Sequence, residues 1–326
     1  MVQACSALAR IFAAGVLMAL AGSAGAQQDF PNKPIRFIVA TAAGSGGDLS
    51  SRLVAQKLTE IWGQPVLVDN RGGGNSIIGT EAAAKAAPDG YSLLLTSSLH
   101  VVVSQLVATP YDPIKDFAAV ATLTNTALVL VVNPSVPANN LQELIELAKS
   151  KPGQLNYGTI SLGSMGHLKL EQFSILADVK LQHIPYKGAG PVLTAILGDQ
   201  IQLYLANPIN VVAHIHSGKL RGIAVIAAKR LPALPQMPTF AEAGLSGLSA
   251  DSWQGILAPA ATPRPIIDKL SAEIARILAL ADIKEKMDSQ GVEPYTSTPE
   301  QLAAQMRADF AKYAKVIKTA NIKLEN

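Results

Sequence analysis

The stretch from Ile35 to Trp62 constrains the chain more than any other. Ile35-Arg36-Phe37-Ile38-Val39 sets four apolar residues in five, the pattern of a buried strand. The loop Ala42-Ala43-Gly44-Ser45-Gly46-Gly47-Asp48 follows, and then Leu49, Leu53, Val54, Leu58, Ile61 and Trp62 recur at helical spacing. Asp48 stands where an N-cap belongs, able to accept from first-turn amides. Strand, glycine loop and helix in this order present unpaired N–H groups and the positive end of a helix dipole, which suits an anion. The same glycines also suit a tight turn that binds nothing.

The plan continues along the chain. Pro65-Val66-Leu67-Val68 reads as a strand, followed by a second glycine loop, Asp69 to Asn75, and a helix from Gly79 to Ala87. This loop has Ile77 where G-x-G-x-x-G needs its last glycine, so a Rossmann reading fails. Tyr91 to Thr96 is a third strand, ending in Ser97-Ser98. Strands alternating with helices predict a mainly parallel sheet, with ligands beyond the carboxyl ends of its strands. Ser45, Ser97 and Ser98 fall at that edge.

Val120 to Val132 is a long apolar stretch interrupted by Thr122, Thr124, Asn125 and Thr126, which reads as a crossing between domains. Beyond it, Asn140 and Glu143 make a capping-box pattern before an apolar helix face. A second strand–loop–helix unit then appears: Leu155 to Gly158, the hydroxyl-rich loop Thr159 to Ser164, and a helix from Met165 to Leu176. A strand from Ile201 to Leu205 ends in Ala206-Asn207-Pro208. Leu248 to Leu257 is a second crossing, and two apolar helices close the chain. The expected fold is therefore α/β and two-lobed, each lobe a mainly parallel sheet flanked by helices, joined by two crossing strands. Lobe one takes Gln27–Leu123 and Trp253–Asn326, and lobe two takes Thr124–Ser252. Thr124–Asn125 and Asp251–Ser252 are the hinge candidates.

Residues 1–26 stand outside this fold. Arg10, the apolar run Ile11–Ala21 and Ala24-Gly25-Ala26 make a secretory signal peptide with Gln27 as the new N-terminus. The run is too short for a membrane span, which needs ~20 residues. The only cysteine, Cys5, lies in this leader, so disulfide and thiol chemistry are excluded from the mature chain. Cleavage removes one charge, Arg10, and takes the formal net charge from +3 to +2. Lysines and arginines are scattered, which argues against a nucleic-acid partner.

Catalytic and metal patterns are weak. Ala43-Gly44-Ser45-Gly46-Gly47 fits a variant nucleophile elbow, so a serine hydrolase built on Ser45 is the alternative reading. Against it, Ser45 follows the first strand of the mature chain and no histidine comes after His216. His214 and His216 are two apart and do not share a helix face. His167 opens a helix beside Ser164 and reads as a packed or loop-bonding residue without a carboxylate partner. No H-E-x-x-H, Walker or EF-hand pattern occurs, and no metal or cofactor is expected.

A series of short motifs runs the length of the mature chain: Pro31-Asn32-Lys33-Pro34-Ile35-Arg36, the Gly44–Asp48 loop, Gly63-Gln64-Pro65-Val66 and Asp69-Asn70-Arg71, with Ala87-Pro88-Asp89-Gly90-Tyr91 and Tyr111-Asp112-Pro113. Lys151-Pro152-Gly153-Gln154-Leu155-Asn156-Tyr157, Pro185-Tyr186-Lys187-Gly188, Gly218-Lys219-Leu220-Arg221 and Ala258-Pro259-Ala260-Ala261-Thr262-Pro263 continue it. In these motifs the chain resembles the Bug (TctC-like) solute-binding receptors of the tripartite tricarboxylate transporters. The resemblance implies a periplasmic, non-enzymatic receptor that closes like a flytrap on a small carboxylate and passes it to integral membrane permease subunits in transient contact. A monomer is expected, and a signalling role is a second possibility. Two departures stand out: Gly44-Ser45-Gly46-Gly47-Asp48 where many members read G-G-G-T-D, and Ala206 where many have an acidic residue, which disfavours an amino-acid ligand. The ligand-binding set expected is Ser45, Gly46, Gly47, Asp48, Ser97 and Ser98 from lobe one. Thr159, Ser161, Ser164, His167, Lys187 and Asn207 face them from lobe two. Arg52 is expected to turn to solvent.

Overall fold

The computed structural model describes residues 30–323 apart from 42, 44, 249–251 and 290–292. The leader, Gly44 and the hinge candidate Asp251 lie outside the described residues. In chain order the first elements are β1 (Ile35–Val39), α1 (Gly46–Trp62), β2 (Val66–Asn70), α2 (Ile77–Ala84), β3 (Ser92–Ser97), α3 (Leu99–Leu106), β4 (Phe117–Asn125) and β5 (Leu128–Val132). Then come α4 (Leu141–Ser150), β6 (Asn156–Thr159), α5 (Met165–Ala177), β7 (Gln182–Pro185), α6 (Ala189–Leu197), β8 (Leu203–Ala206), α7 (Pro208–His216) and β9 (Arg221–Ile226). The chain closes with β10 (Trp253–Pro259), α8 (Arg264–Leu278), α9 (Ala281–Ser289) and α10 (Pro299–Thr319).

The strands form two five-stranded sheets, β2-β1-β3-β10-β4 and β7-β6-β8-β5-β9. Each sheet is buried on both faces, which is why its strands read as nearly continuous apolar runs. All five residues of β5 are buried, and they alternate: Leu128, Leu130 and Val132 enter one core, Val129 and Val131 the other. In the first sheet Ile256 and Ala258 of β10 face one core while Trp253 and Leu257 face the other.

Three expectations change. The sheets are mixed rather than mainly parallel: β1 pairs in parallel with β2 and β3, and β6 with β7 and β8, but β10 runs antiparallel to β3 and β4, and β5 antiparallel to β8 and β9. The crossing strands are the cause, because each enters its sheet from the opposite direction. The first break between sheets falls at Thr126 and Ala127, not at Thr124–Asn125, which pair with β10 inside β4. Finally, α1 begins at Gly46 with Ser45 as its N-cap, and Asp48 lies inside the first turn. At the other end Gly63 closes α1 at φ 64°, a left-handed conformation that glycine adopts without cost, and its N–H donates to the Thr59 carbonyl at 3.0 Å.

Between the sheets, α3, α5 and α10 share a small core of Val102, Leu168, Tyr313, Val316, Ile317 and Ile322. This core ties α5, which packs on β8, to α10, which packs on β4 and α3.

Candidate functional site

A cavity of about 240 Å³ lies where the two sheets approach. On the first sheet's side it is walled by Ser97, Ser98 and Leu99 at the junction of β3 and α3, and by Ser252, Trp253 and Gln254 at the start of β10. Thr126 and Leu128 of the crossing also line it. The second sheet contributes Thr159, Ile160, Ser161, Ser164, Met165, Gly166, Ala189, Tyr204, Leu205, Asn207 and Asn210. Among the described lining residues there is no Asp, Glu, Lys, Arg or His.

What the wall does present is helix starts. Leu99 opens α3, Met165 and Gly166 open α5, Ala189 opens α6, and Asn207 caps α7. First-turn amides have no intrahelical acceptor, and the dipole makes this end positive. None of these four helices carries an acidic residue in its first turn. In α6 and α7 no side chain caps the terminus either, and in α3 the N-cap Ser98 makes no cap bond, although the Leu99 amide donates to Ser97 Oγ at 3.4 Å. Gly166 sits so close to β8 that a Cβ there would lie 3.2 Å from the Leu205 carbonyl, which brings the start of α5 hard against the wall.

The hydroxyl loop is held from behind. Ser164 Oγ caps α5 by accepting from the His167 amide at 3.5 Å and donates to the Ser161 carbonyl at 2.8 Å. Thr159 Oγ1 donates to that same carbonyl at 3.1 Å, so it accepts from His183 Nε2 at 2.6 Å. Its proton is committed inside the loop. His183 stacks on His167 with ring centroids 3.9 Å apart and on Tyr157 at 4.9 Å. His167 Nδ1 accepts from the Gly163 amide at 3.1 Å. Burial, and secondarily the neighbouring His183, pushes His167 down to about 3, and burial pushes His183 down to about 4. Both are neutral at physiological pH and act as fixed hydrogen-bonding plates. Burial raises Glu171, and the Tyr157 hydroxyl that donates to it pulls the other way.

On the opposite wall Ser98 Oγ is buried and meets no hydrogen-bond partner among the described residues. Burial lifts the Tyr204 phenol to about 12, so it stays protonated. Trp253 Nε1 donates to Asp309 Oδ2 at 3.0 Å, which commits its one donor and leaves its ring as the wall. Gln254 Oε1 accepts from Ser50 Oγ at 3.2 Å.

Of the residues singled out from the sequence, Ser97, Ser98, Thr159, Ser161, Ser164 and Asn207 come together on this wall. Ser45, Gly47 and Asp48 are not among the described lining residues; Gly47 backs on to Gln254, whose Oε1 would lie 3.6 Å from an added Cβ. Ser45 Oγ is shared between Thr41 Oγ1 at 2.8 Å and the Asp48 amide at 3.3 Å, and neither partner is an imidazole that could make it a nucleophile. Asp48, 2% exposed, pairs with Arg52 Nε at 3.0 Å and accepts from Asn70 Nδ2 at 2.9 Å. Arg52 is half-exposed, as expected, and lays its guanidinium on Asp48 and on Asn70 Oδ1 at 2.8 Å. His167 lies behind the wall, and Lys187 is exposed on the loop before α6. Tyr204, Asn210, Trp253, Gln254 and His183 escaped the sequence reading. The signal for the helix starts was available: a first turn with no acidic residue.

Comparison with known proteins gives three concordant findings. The family model for the tripartite tricarboxylate transporter family receptor matches residues 50–322. Protein BugT of Bordetella pertussis is 35% identical over 316 residues, covering 95% of this chain and 97% of its own. Among solved structures, Rpa4515 of R. palustris with adipate is 33% identical at a TM-score of 0.74, covering 90% of this chain and 99% of the other. MatC of Rhodopseudomonas palustris with bound malate is 28% identical at a TM-score of 0.71, covering 88% and 100%.

Proposed function

This chain belongs to the receptor family of the tripartite tricarboxylate transporters, and from that premise we propose that its cavity captures a small carboxylate for delivery to a membrane permease. The observation that carries the reading is a cavity without a formal charge on its described wall but with four helix starts around it. An anion there is met by N–H groups and hydroxyls rather than by an arginine clamp. Each hydrogen bond to a charged group contributes about 1.5–3 kcal/mol, and micromolar affinity needs about 8 kcal/mol, which corresponds to about three to six such bonds. Adipate and malate, held by the related receptors, are of a size that the cavity admits.

In this proposal Ser97, Ser98 and the start of α3 hold the ligand from lobe one. Ser161, Ser164, the start of α5 and Asn207 hold it from lobe two. Ser45 to Asp48 support the wall through Gln254, while His167 and His183 fix the loop. The two lobes close over the ligand by bending at Thr126–Ala127 and near Ser252, with β4 kept whole in lobe one through Asn125. Export by the leader brings the monomeric receptor to the periplasm, where a permease collects the ligand. No catalytic step is assigned to it.

Titration calorimetry with adipate and malate, preceded by a thermal-shift panel of carboxylates, amines and sugars, tests the reading. Carboxylates alone should stabilise the protein, with micromolar dissociation constants. A response confined to amines or sugars would sink it. Stoichiometric labelling of Ser45 by a serine-directed phosphonate would restore the hydrolase.

A further inference from the structure

Gln254, the second residue of β10, is the one side-chain amide that the first sheet brings to the cavity among the described lining residues. Its Oε1 accepts from Ser50 Oγ at 3.2 Å, and a Cβ added to Gly47 would lie 3.6 Å from that same oxygen. The oxygen corner of the amide is thus set into the first turn of α1, where the positive end of a helix favours an oxygen over an NH2 group. The amide is planar, so anchoring Oε1 turns Nε2 away from α1. Among the described residues Nε2 meets no hydrogen-bond partner. Directly opposite on β3 stands Ser97, whose Oγ accepts from the Leu99 amide at 3.4 Å and does not use its own proton in that bond. With Ser98 Oγ, buried and unpartnered beside it, lobe one offers a small group of donors and no charge.

We propose that Gln254 is a specificity-determining residue, whose Nε2 accepts only a ligand with a hydrogen-bond acceptor at its lobe-one end and turns away an ammonium group. The inference rests on the carboxylate reading above. In that reading the start of α5 meets one carboxylate, and Gln254 meets the group at the other end of the ligand. The NH2 corner of an amide carries two donors and no free acceptor. A carboxylate or carbonyl oxygen satisfies it, whereas an ammonium sets donor against donor and leaves both unpaired away from water. A free glutamine escapes this by turning its amide over. Here the turn would bring the NH2 group against the start of α1 and take the acceptor from Ser50 Oγ. The choice is therefore made by α1 before a ligand arrives, and pre-organisation of this kind favours binding. It also gives the first turn of α1 a part in recognition without contact: the helix orients the one amide that reads the ligand.

Calorimetry on the wild type, Gln254→Glu and Gln254→Met tests this with probes that share one carboxylate and differ at the far end. Adipate, its monoamide and 6-aminohexanoate are the longer set, and malate and isoserine the shorter pair. The wild type should bind the dicarboxylate best, the monoamide next, and the ammonium probe weaker than the dicarboxylate by roughly 100-fold. Gln254→Glu keeps the shape but puts an acceptor where the donors were. It should weaken the dicarboxylate by roughly 100-fold and strengthen the ammonium probe, which reverses the order. Gln254→Met should weaken the dicarboxylate by roughly tenfold and leave the ammonium probe within about threefold. Melting curves establish that the variants are folded; if the glutamate variant is not, the methionine variant decides alone. A residue that only braces α1 against β10 would lower every probe by the same factor. That result, or variants with the selectivity of the wild type, would overturn this inference and leave the carboxylate reading standing. A wild type that binds neither adipate nor malate strikes the carboxylate reading itself, and this inference with it.

Discussion

The first glycine loop and the hydroxyl loop solve the same local problem with opposite consequences. Each leads from a strand into a helix through a serine N-cap with extended backbone, Ser45 at ψ 160° and Ser164 at ψ 160°, and each serine accepts from the amide three residues on. In α1 that third residue is Asp48, whose carboxylate sits in the first turn and is itself held by Arg52 and Asn70. In α5 it is His167, neutral and turned away to accept from Gly163. The positive end of α1 is answered from within; that of α5 is left for something else. A helix start is an anion site only where the protein has not already supplied the anion.

The comparison breaks most decisively if α5 is made like α1. Met165→Asp puts a carboxylate on the cavity wall at the first helical position, where it also favours the helix. Carboxylate binding should weaken by roughly 100-fold or more, through like-charge repulsion in a site with little water, while the melting temperature holds or rises. Calorimetry and a melting curve on one preparation check both halves.

Next in size, removing each cap should separate the two loops. Ser164→Ala and Ser45→Ala should each cost about 1 kcal/mol of stability, the usual value of an N-cap. Only Ser164→Ala should also weaken binding, by roughly tenfold, since only that serine both lines the cavity and holds the Ser161 carbonyl. Equal losses of affinity in the two variants would erase the distinction.

Acid sharpens the comparison further. His167 and His183 are kept neutral by burial, at about 3 and about 4, against 6.5 when exposed. A group whose folded value is depressed favours the fold fully above 6.5, and that contribution is lost as pH falls towards the folded values. His100, buried in lobe one and lowered to about 4, adds the same slope there. The melting temperature should therefore fall between about pH 6.5 and about pH 4, and the fall should be shallower in His167→Gln. A variant as acid-sensitive as the wild type would count against a neutral histidine plate behind the loop. The smallest effect belongs to Arg52→Ala, which removes a half-exposed partner of Asp48 and should leave carboxylate affinity within about twofold by calorimetry.

Much of this was legible in residue order. β1, the Asn140-capped α4, the hydroxyl loop and the two crossings stand out because burial on both sheet faces and cap chemistry leave direct marks in the sequence. The start of α1 was misread at Asp48 because Gly46 and Gly47 are poor helix formers, yet Ser45 caps them into the first turn. The helix Leu99–Leu106 was hidden by its run of valines, a local preference for strand that packing overrides. Strand direction in the crossings has no local signature at all. Nor could the sequence bring His183 to Thr159, or Gln254 to Ser50, because those meetings are set by how distant helices and strands dock.

The most direct measurement is a crystal structure of the protein with adipate or malate, whichever binds more tightly. The account predicts a carboxylate oxygen within hydrogen-bonding distance of the Met165 or Gly166 amide, about 3 Å, with the loop from Ser45 to Asp48 making no contact with the ligand. A carboxylate seated on Ser45 to Asp48, with the start of α5 bare, would contradict it.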